Sequence, residues 1–235
     1  MFRLCPDQER TSIRRRALLM GGLAGAVSCA FPPVSHASIA FVLPTATANR
    51  RFSVLYKGIR VGTHTISYSS ATGETRVNTD IHLEVKLAFV TAYAFSHRSE
   101  ETWRAGRLTS LTGETAEHGE TLHVEGAATP QGFRVVSKSG PFIASAATLT
   151  SNSLWTPAML EQATGVDAQR GGIVGVSARR VSDEQIVIAG GTVQATRYTF
   201  VTPYYAGAVW YDKANLWVGA EFERDGSRVQ YQLET

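Results

Sequence analysis

The stretch Thr75-Arg76-Val77-Asn78-Thr79-Asp80-Ile81-His82-Leu83-Glu84-Val85-Lys86-Leu87-Ala88-Phe89 decides the fold. Val77, Thr79, Ile81, Leu83, Val85, Leu87 and Phe89 fall on one face of an extended chain. Arg76, Asn78, Asp80, His82, Glu84 and Lys86 fall on the other. A helix would scatter both sets around its circumference, so the period of two specifies a strand with one wet face. At about 3.3 Å per residue it spans on the order of 45–50 Å. Strands usually stop after about five or six residues, so one this long must coil, bulge or wrap around something.

The same logic extends to the C-terminus. Leu216–Arg224 and Ser227–Leu233 flank Asp225-Gly226, a dipeptide that favours a tight type I′ turn. A two-residue loop there sets Glu223 opposite Arg228, Phe222 opposite Val229, Ala220 opposite Tyr231 and Val218 opposite Leu233. Opposite charges meet and apolar residues meet apolar residues, as cross-strand energetics favour. Further turn signals stand at Gly58, Ala71–Gly73, Ala105-Gly106, His118-Gly119, Pro130–Gly132, Gly190-Gly191 and Lys213–Asn215. The expected fold class is therefore all-β: a large curved antiparallel meander, or incompletely closed barrel, of roughly ten to twelve strands. One short helix is expected over Thr156–Thr164, with Pro157 in its first turn and Gly165 at its end.

Residues 1–37 read differently. Arg14, Arg15 and Arg16 precede an apolar run from Ala17 to Phe31, and Ser35-His36-Ala37 forms a small-x-small cleavage pattern. The run falls short of the roughly 20 residues that a helix needs to cross a bilayer. A charged, then apolar, then small-residue order predicts a cleaved export signal and a periplasmic or secreted mature chain with no transmembrane span. Arg15-Arg16-Ala17-Leu18-Leu19 resembles a twin-arginine export motif, with the general secretory route as the alternative and lipidation at Cys29 as a lesser one. Residues 38–50 are expected to be an arm or first strand, and 51–235 a single β domain.

The chain carries 23 basic and 20 acidic residues. Residues 1–37 hold five arginines, Asp7 and Glu9, so the remaining 198 residues carry eighteen of each sign and are formally neutral. A neutral surface offers no electrostatic reason to expect a nucleic-acid partner. Both cysteines, Cys5 and Cys29, lie in the same segment. The mature chain then has no disulfide, no thiol nucleophile and no thiolate ligand. It carries no G-x-S-x-G, P-loop, H-E-x-x-H or dinucleotide fingerprint, and no cofactor is expected.

Spaced aromatics carry a resemblance. Tyr93, Phe95, His97, Glu101, Trp103, Gly106 and Leu108, then Asn152 to Pro157, then Trp210-Tyr211-Asp212, resemble the bacterial exported domain of unknown function 6134 family over most of residues 51–233. Where an acidic residue is expected before Gly106, this chain has Ala105. The resemblance implies no established activity. More distantly, the strand-rich plan resembles the open half-barrels of periplasmic lipoprotein carriers, a likeness of fold alone.

A two-residue Ala105-Gly106 loop places Trp103 opposite Leu108, Glu101 opposite Ser110, Ser99 opposite Thr112 and His97 opposite Glu114. His97, Glu101 and Glu114 then share an inner face with Tyr93 and Phe95, as a candidate acid/base or metal-binding set. The plainer reading pairs His97 with Glu114 and leaves Glu101 to water or a backbone donor. Tyr204, Tyr205, Trp210, Tyr211 and Trp217 read either as core or as the aromatic mouth of a cavity, with Asp212 orienting a polar group there. Trp155 reads as a lid hinge or as a hydrophobic staple. Asp167–Gly172 reads as a turn, and His64, His82, His118 and His123 as surface or turn histidines.

About eight strands close a barrel that its own side chains can fill, and more leave room for a plug or a ligand. One short helix is little plug. The leading expectation is a non-catalytic binding protein that takes a lipid or other apolar small molecule, with Tyr93, Phe95, Trp103, Trp155, Trp210, Tyr211 and Asp212 lining the space. The rivals are an enzyme or metal-binding protein using His97, Glu101 and Glu114, and a structural partner of another envelope component.

Overall fold

The computed structural model describes residues 49–234 except Ala88 and Asp225, and leaves the Leu87 side chain undescribed. The expected export signal, both cysteines and the expected arm up to residue 48 thus lie outside the described residues. Thirteen strands form one antiparallel sheet. In chain order its first eight are β1 (Arg50–Tyr56), β2 (Ile59–Ala71), β3 (Glu74–Leu87), β4 (Val90–Arg104), β5 (Arg107–Glu117), β6 (Glu120–Thr129), β7 (Gly132–Ser137) and β8 (Phe142–Ala144). A small hairpin follows, β9 (Thr164–Val166) with β10 (Ile173–Gly175). The large sheet resumes with β11 (Ser177–Ile188), β12 (Gly191–Val201), β13 (Ala206–Asp212), β14 (Trp217–Arg224) and β15 (Ser227–Leu233).

The sheet order is β11-β12-β13-β14-β15-β1-β2-β3-β4-β5-β6-β7-β8, so two consecutive meanders meet where β15 pairs β1. Among the described residues the sheet is not closed: β11 and β8 are its edges. Fifteen strands exceed the ten to twelve expected, because β8, β9 and β10 have three residues each, too few to show a period. Type I′ geometry recurs at the tips, with positive φ at both residues of Lys57-Gly58, Thr72-Gly73, Ala105-Gly106 and His118-Gly119. Ala105 therefore makes the same turn as its neighbours, at φ 47°. In the C-terminal hairpin Glu223 pairs Arg228, Phe222 pairs Val229 and Ala220 pairs Tyr231, as the turn alone required.

Long strands stay in the sheet by bulging. Register shifts occur between Val85 and Lys86 and between Thr102 and Trp103. The second has a direct consequence. Trp103 faces Leu108 as expected, but Thr102 then faces Ser110, and the Thr109 hydroxyl donates to the Thr102 carbonyl at 3.0 Å. Beyond the bulge every pairing is displaced by one: Glu101 faces Leu111, Ser99 faces Gly113, and His97 faces Thr115 rather than Glu114. Since the side-chain period is two, the displacement turns Glu114 to the outer face. There it sits across from Arg98 and within 3.7 Å of the His123 imidazole.

The inner face is partly filled from within. Between β8 and β11 the chain makes two short 3-10 helices, Ser151–Trp155 and Pro157–Glu161, in place of the expected helix over 156–164. Thr156 is extended at φ −128°, ψ 140° and caps both helices, since Pro157 disfavours helical geometry in the residue before it. Leu149, Trp155, Met159, Leu160, Val166, Ala168 and Val174 of this segment join Ile66, Tyr68, Val77, Trp103, Leu111 and Tyr211 of the sheet in one buried cluster. The Trp155 ring meets those of Tyr68 and Trp103 edge-on, each at 5.8 Å between centroids. Residues 145–176 are thus a plug, which corrects the expectation that the chain has little filler of its own.

The plug reaches the sheet because Gly113 lacks a side chain: a Cβ there would lie 2.5 Å from the Ala168 carbonyl oxygen. Gly113→Ala should cost about 1–3 kcal/mol, lowering the melting temperature by several degrees in thermal denaturation. Gly172→Ala, in the plug but with open space around it, should leave it near the wild-type value. Equal melting temperatures for the two variants would contradict this packing.

Candidate functional site

Cross-strand register divides the inner face into rows. One row runs Leu233, Phe52, His64, Ile81, His97, Thr115. On its plug side lie Ile66, Thr79, Ser99, Gly113 and Val124, then Tyr68, Val77, Glu101 and Leu111. On its other side lie Tyr231, Val54, Gly62, Leu83, Phe95 and Glu117. The plug covers the first half and leaves the second uncovered.

His97 and Glu101 hold the plug. Thr115 donates its single hydroxyl proton to the Gln169 carbonyl at 3.0 Å, so at 2.8 Å it accepts from His97 Nδ1–H. His97 Nε2 is left to accept from the Asn152 amide at 2.8 Å, and the same amide donates to Ser99 Oγ at 2.7 Å. The imidazole is neutral: burial lowers its pKa to about 4. Four residues along, about 13 Å away, Glu101 accepts from Trp103 Nε1 at 3.0 Å and from the Thr150 hydroxyl. Burial raises the Glu101 pKa to about 7, against the opposing pull of Thr150, Trp103 and Trp155. Thr150 also caps the first 3-10 helix. The proposed triad thus does not converge. Its members lie on the plug contact and on the outer face, and among the described residues no three His, Cys, Asp or Glu side chains are grouped to hold a metal.

The uncovered half forms a cavity of about 670 Å³, within the range of about 300–1,000 Å³ usual for small-molecule sites. Val54, Ile81, Leu83, Val85, Phe95 and Val229 form apolar walls, joined by the rings of Tyr93, Tyr205, Phe222 and Tyr231. Tyr205 stacks on Phe222 at 4.8 Å. The rim is polar and spans the curl of the sheet. Glu117 of β5 accepts from Tyr93 Oη at 2.9 Å, from Arg170 of the plug at 2.9 Å and from Arg224 of β14 at 3.4 Å. Burial alone would raise the Glu117 pKa, but the Tyr93 phenol and the two guanidiniums outweigh it and hold the carboxyl below its usual range. The arginines also lie over tyrosine rings, Arg170 on Tyr204 at 5.2 Å and Arg224 on Tyr93 at 5.5 Å.

Of the residues expected to line a cavity, Tyr93 and Phe95 do so. Trp103 and Tyr211 are instead fully buried against the plug, Trp155 is a buried part of the plug itself, and the Tyr211 hydroxyl donates to the Leu154 carbonyl at 2.8 Å. Trp210, one residue out of phase with Tyr211, projects from the other face, where it donates to Glu184 and lies under Arg197. Asp212 caps the following turn, accepting from the amides of Ala214 and Leu216. His64 is not a surface residue. It is buried among Phe52, Trp217 and Tyr231, with its pKa lowered to about 3 by burial and then by the proximity of His97. Sequence reasoning missed Glu117, Arg170 and Arg224. Arg224 was in reach, since it shares the phase of Phe222, whereas Arg170 stands at the tip of a turn that Asp167 caps.

The buried ionisable groups set opposite pH dependences. The raised Glu101 pKa gives a stabilising contribution that is complete below about pH 4.5 and lost as pH rises through about 7. The lowered His97 and His64 values give one that is present above about 6.5 and lost as pH falls toward 4. Glu101→Gln removes only the first. Whatever the offset from its altered hydrogen bonding, the variant should gain on the wild type by about 3 kcal/mol between pH 4 and 8, read from urea unfolding. A pH-independent difference would show that Glu101 is not buried as described.

Comparison with known proteins places this geometry. No curated protein matches the chain. The crystal structure of a beta-barrel-like protein of domain of unknown function DUF1849 from Brucella abortus is similar, with a TM-score of 0.59 at 10% identity over 80% of this chain and 95% of that one. That likeness is one of fold. The family model described as domain of unknown function DUF6134 matches residues 52–234, nearly the whole of the described sheet. This chain belongs to the DUF6134 family.

Proposed function

We propose that this chain is an exported, non-catalytic binding protein whose cavity takes one apolar or amphipathic small molecule. The observation that supports the reading is the division of the inner face. The plug covers one half with a buried apolar cluster, and the other keeps a cavity of about 670 Å³ with apolar walls and a charged rim. An apolar chain buried there gains roughly 25 cal/mol per Å² removed from water, while a polar head group meets Glu117, Arg170 and Tyr93 at the rim. The polar groups suited to proton transfer, His97 and Glu101, are spent on the plug, which favours a binding role over a catalytic one. The export segment makes the periplasm or the medium the place of action.

Native mass spectrometry of gently purified protein should show a species heavier by one small molecule, extractable into organic solvent. Leu83→Trp, which adds volume inside the cavity without touching the plug, should lower that occupancy at least tenfold and leave the melting temperature unchanged or raised. Undiminished occupancy in Leu83→Trp would overturn the reading. Separately, N-terminal sequencing of the accumulated protein should begin at Ser38, and Arg15→Lys with Arg16→Lys should block export by the twin-arginine route. A retained Met1 would contradict the export assignment.

A further inference from the structure

The cavity lies at one end of the strands, and that end carries an unusual surface. Nine large hydrophobic side chains are exposed among the described residues, and five of them gather here: Ile59, Phe89, Val90, Val201 and Tyr204. The register fixes the grouping. The Lys57-Gly58 tip of β1–β2 and the tip between Leu87 and Val90 follow strand ends whose inner residues line the cavity, and the loop between Val201 and Ala206 lines it through Pro203, Tyr204 and Tyr205.

The tip between β3 and β4 is the outlier in turn chemistry. The hairpins β1–β2, β2–β3, β4–β5 and β5–β6 turn on a residue followed by glycine, both at positive φ. In the β3–β4 hairpin Leu87 pairs Val90, and the sequence from 87 to 90, Leu-Ala-Phe-Val, holds no glycine and no polar residue. Phe89 is fully exposed and Val90 is 68% exposed. On the neighbouring strand Ile59 is 70% exposed. Leaving such groups in water forfeits about 1.5–3 kcal/mol per large side chain. A tip that must merely turn has no need of them, and the four Gly-containing tips show how this chain makes a turn in water.

The charges beside the β1–β2 and β3–β4 tips are chiefly basic. Lys57 and Arg60 flank Ile59, and Lys86 precedes the apolar tip, against Glu84 in the same stretch. Glu84 pairs Lys86 at 3.0 Å and Glu234 pairs Arg60 at 2.8 Å, while Lys57 lies over the Tyr56 ring. Apolar side chains at a projecting tip with cations behind them match the layering of a bilayer surface, apolar below and anionic above.

We infer that Phe89 and Val90 at the β3–β4 turn, with Ile59 beside them, insert into the surface of a lipid bilayer and set the cavity mouth against the membrane. Membrane contact at the mouth gives an apolar guest a path that avoids bulk water. The insertion stands on the tips alone, so it holds or fails independently of what the cavity binds.

The test reads the position of the tip in the full-length chain, so that membrane binding by other segments does not mask it. Phe89→Trp and, at the opposite end of the sheet, Ala71→Trp are each mixed with vesicles of phosphatidylethanolamine and phosphatidylglycerol brominated in their acyl chains. Fluorescence is compared with that of the parent chain, whose tryptophans at 103, 155 and 217 are buried and at 210 half-buried. Trp at position 89 should shift to the blue and be quenched at least severalfold more than Trp at position 71. Adding Ile59→Ser to Phe89→Trp should reduce that quenching, as should replacing phosphatidylglycerol by phosphatidylcholine. Equal quenching at 89 and 71, or none at either, would overturn the inference. An empty cavity by mass spectrometry would leave it standing.

Discussion

The pairing of β4's inner side chains with the first 3-10 helix is the interaction on which the rest of the structure depends. A thirteen-stranded sheet with a single apolar face cannot stand alone in water, and here part of that face is covered by a segment with little regular structure. The hydrogen bonds within that segment shape it, but they do not fix where on the sheet it sits. Asn152 on His97 and Ser99, and Thr150 on Glu101, supply that position through buried polar contacts whose geometry admits one docking. Hydrophobic burial alone would hold residues 145–176 against the sheet without choosing where.

This choice of position creates the cavity. Trp155 and Leu149 settle over the rows of Tyr68, Val77 and Leu111, and the turn at Asp167–Gly172 reaches back only as far as Glu117. Rows beyond His97 keep apolar walls with no plug residue above them other than Gln169 and Arg170. The rim clasp of Glu117 with Arg170 and Arg224 joins three elements distant in sequence: the plug, β5 and β14. Its charges sit where an amphipathic molecule would place its polar end. The exposed tips stand at the same end, so packing, electrostatics and surface chemistry share one direction along the strands.

Much of the fold was legible in the sequence because strand periodicity and turn chemistry are local. The alternation from Thr75 to Leu87 and the register of the C-terminal hairpin carried through to the sheet, whereas Phe89, expected on the same inner face, stands exposed in the β3–β4 turn. The site was less legible for two physical reasons. A bulge adds one residue without changing composition, and Thr109 thereby moved Glu114 to the outer face while His97 and Glu101 stayed inside. A plug leaves no periodic trace, since its 3-10 helices span five residues each and are fixed by tertiary contacts rather than propensity. Trp103, Trp155 and Tyr211 looked like cavity aromatics and became core because that unseen segment, Trp155 included, packs on the sheet.

A binding role requires that the uncovered half of the inner face stay open to a guest. Titration of the delipidated protein with the apolar fluorophore N-phenyl-1-naphthylamine tests it most directly. The fluorescence should rise saturably to one probe per chain and fall again when the molecule extracted from the native protein is added. Fluorescence that rises without saturation, or that reaches one equivalent equally in a chain carrying Leu83→Trp, would contradict it.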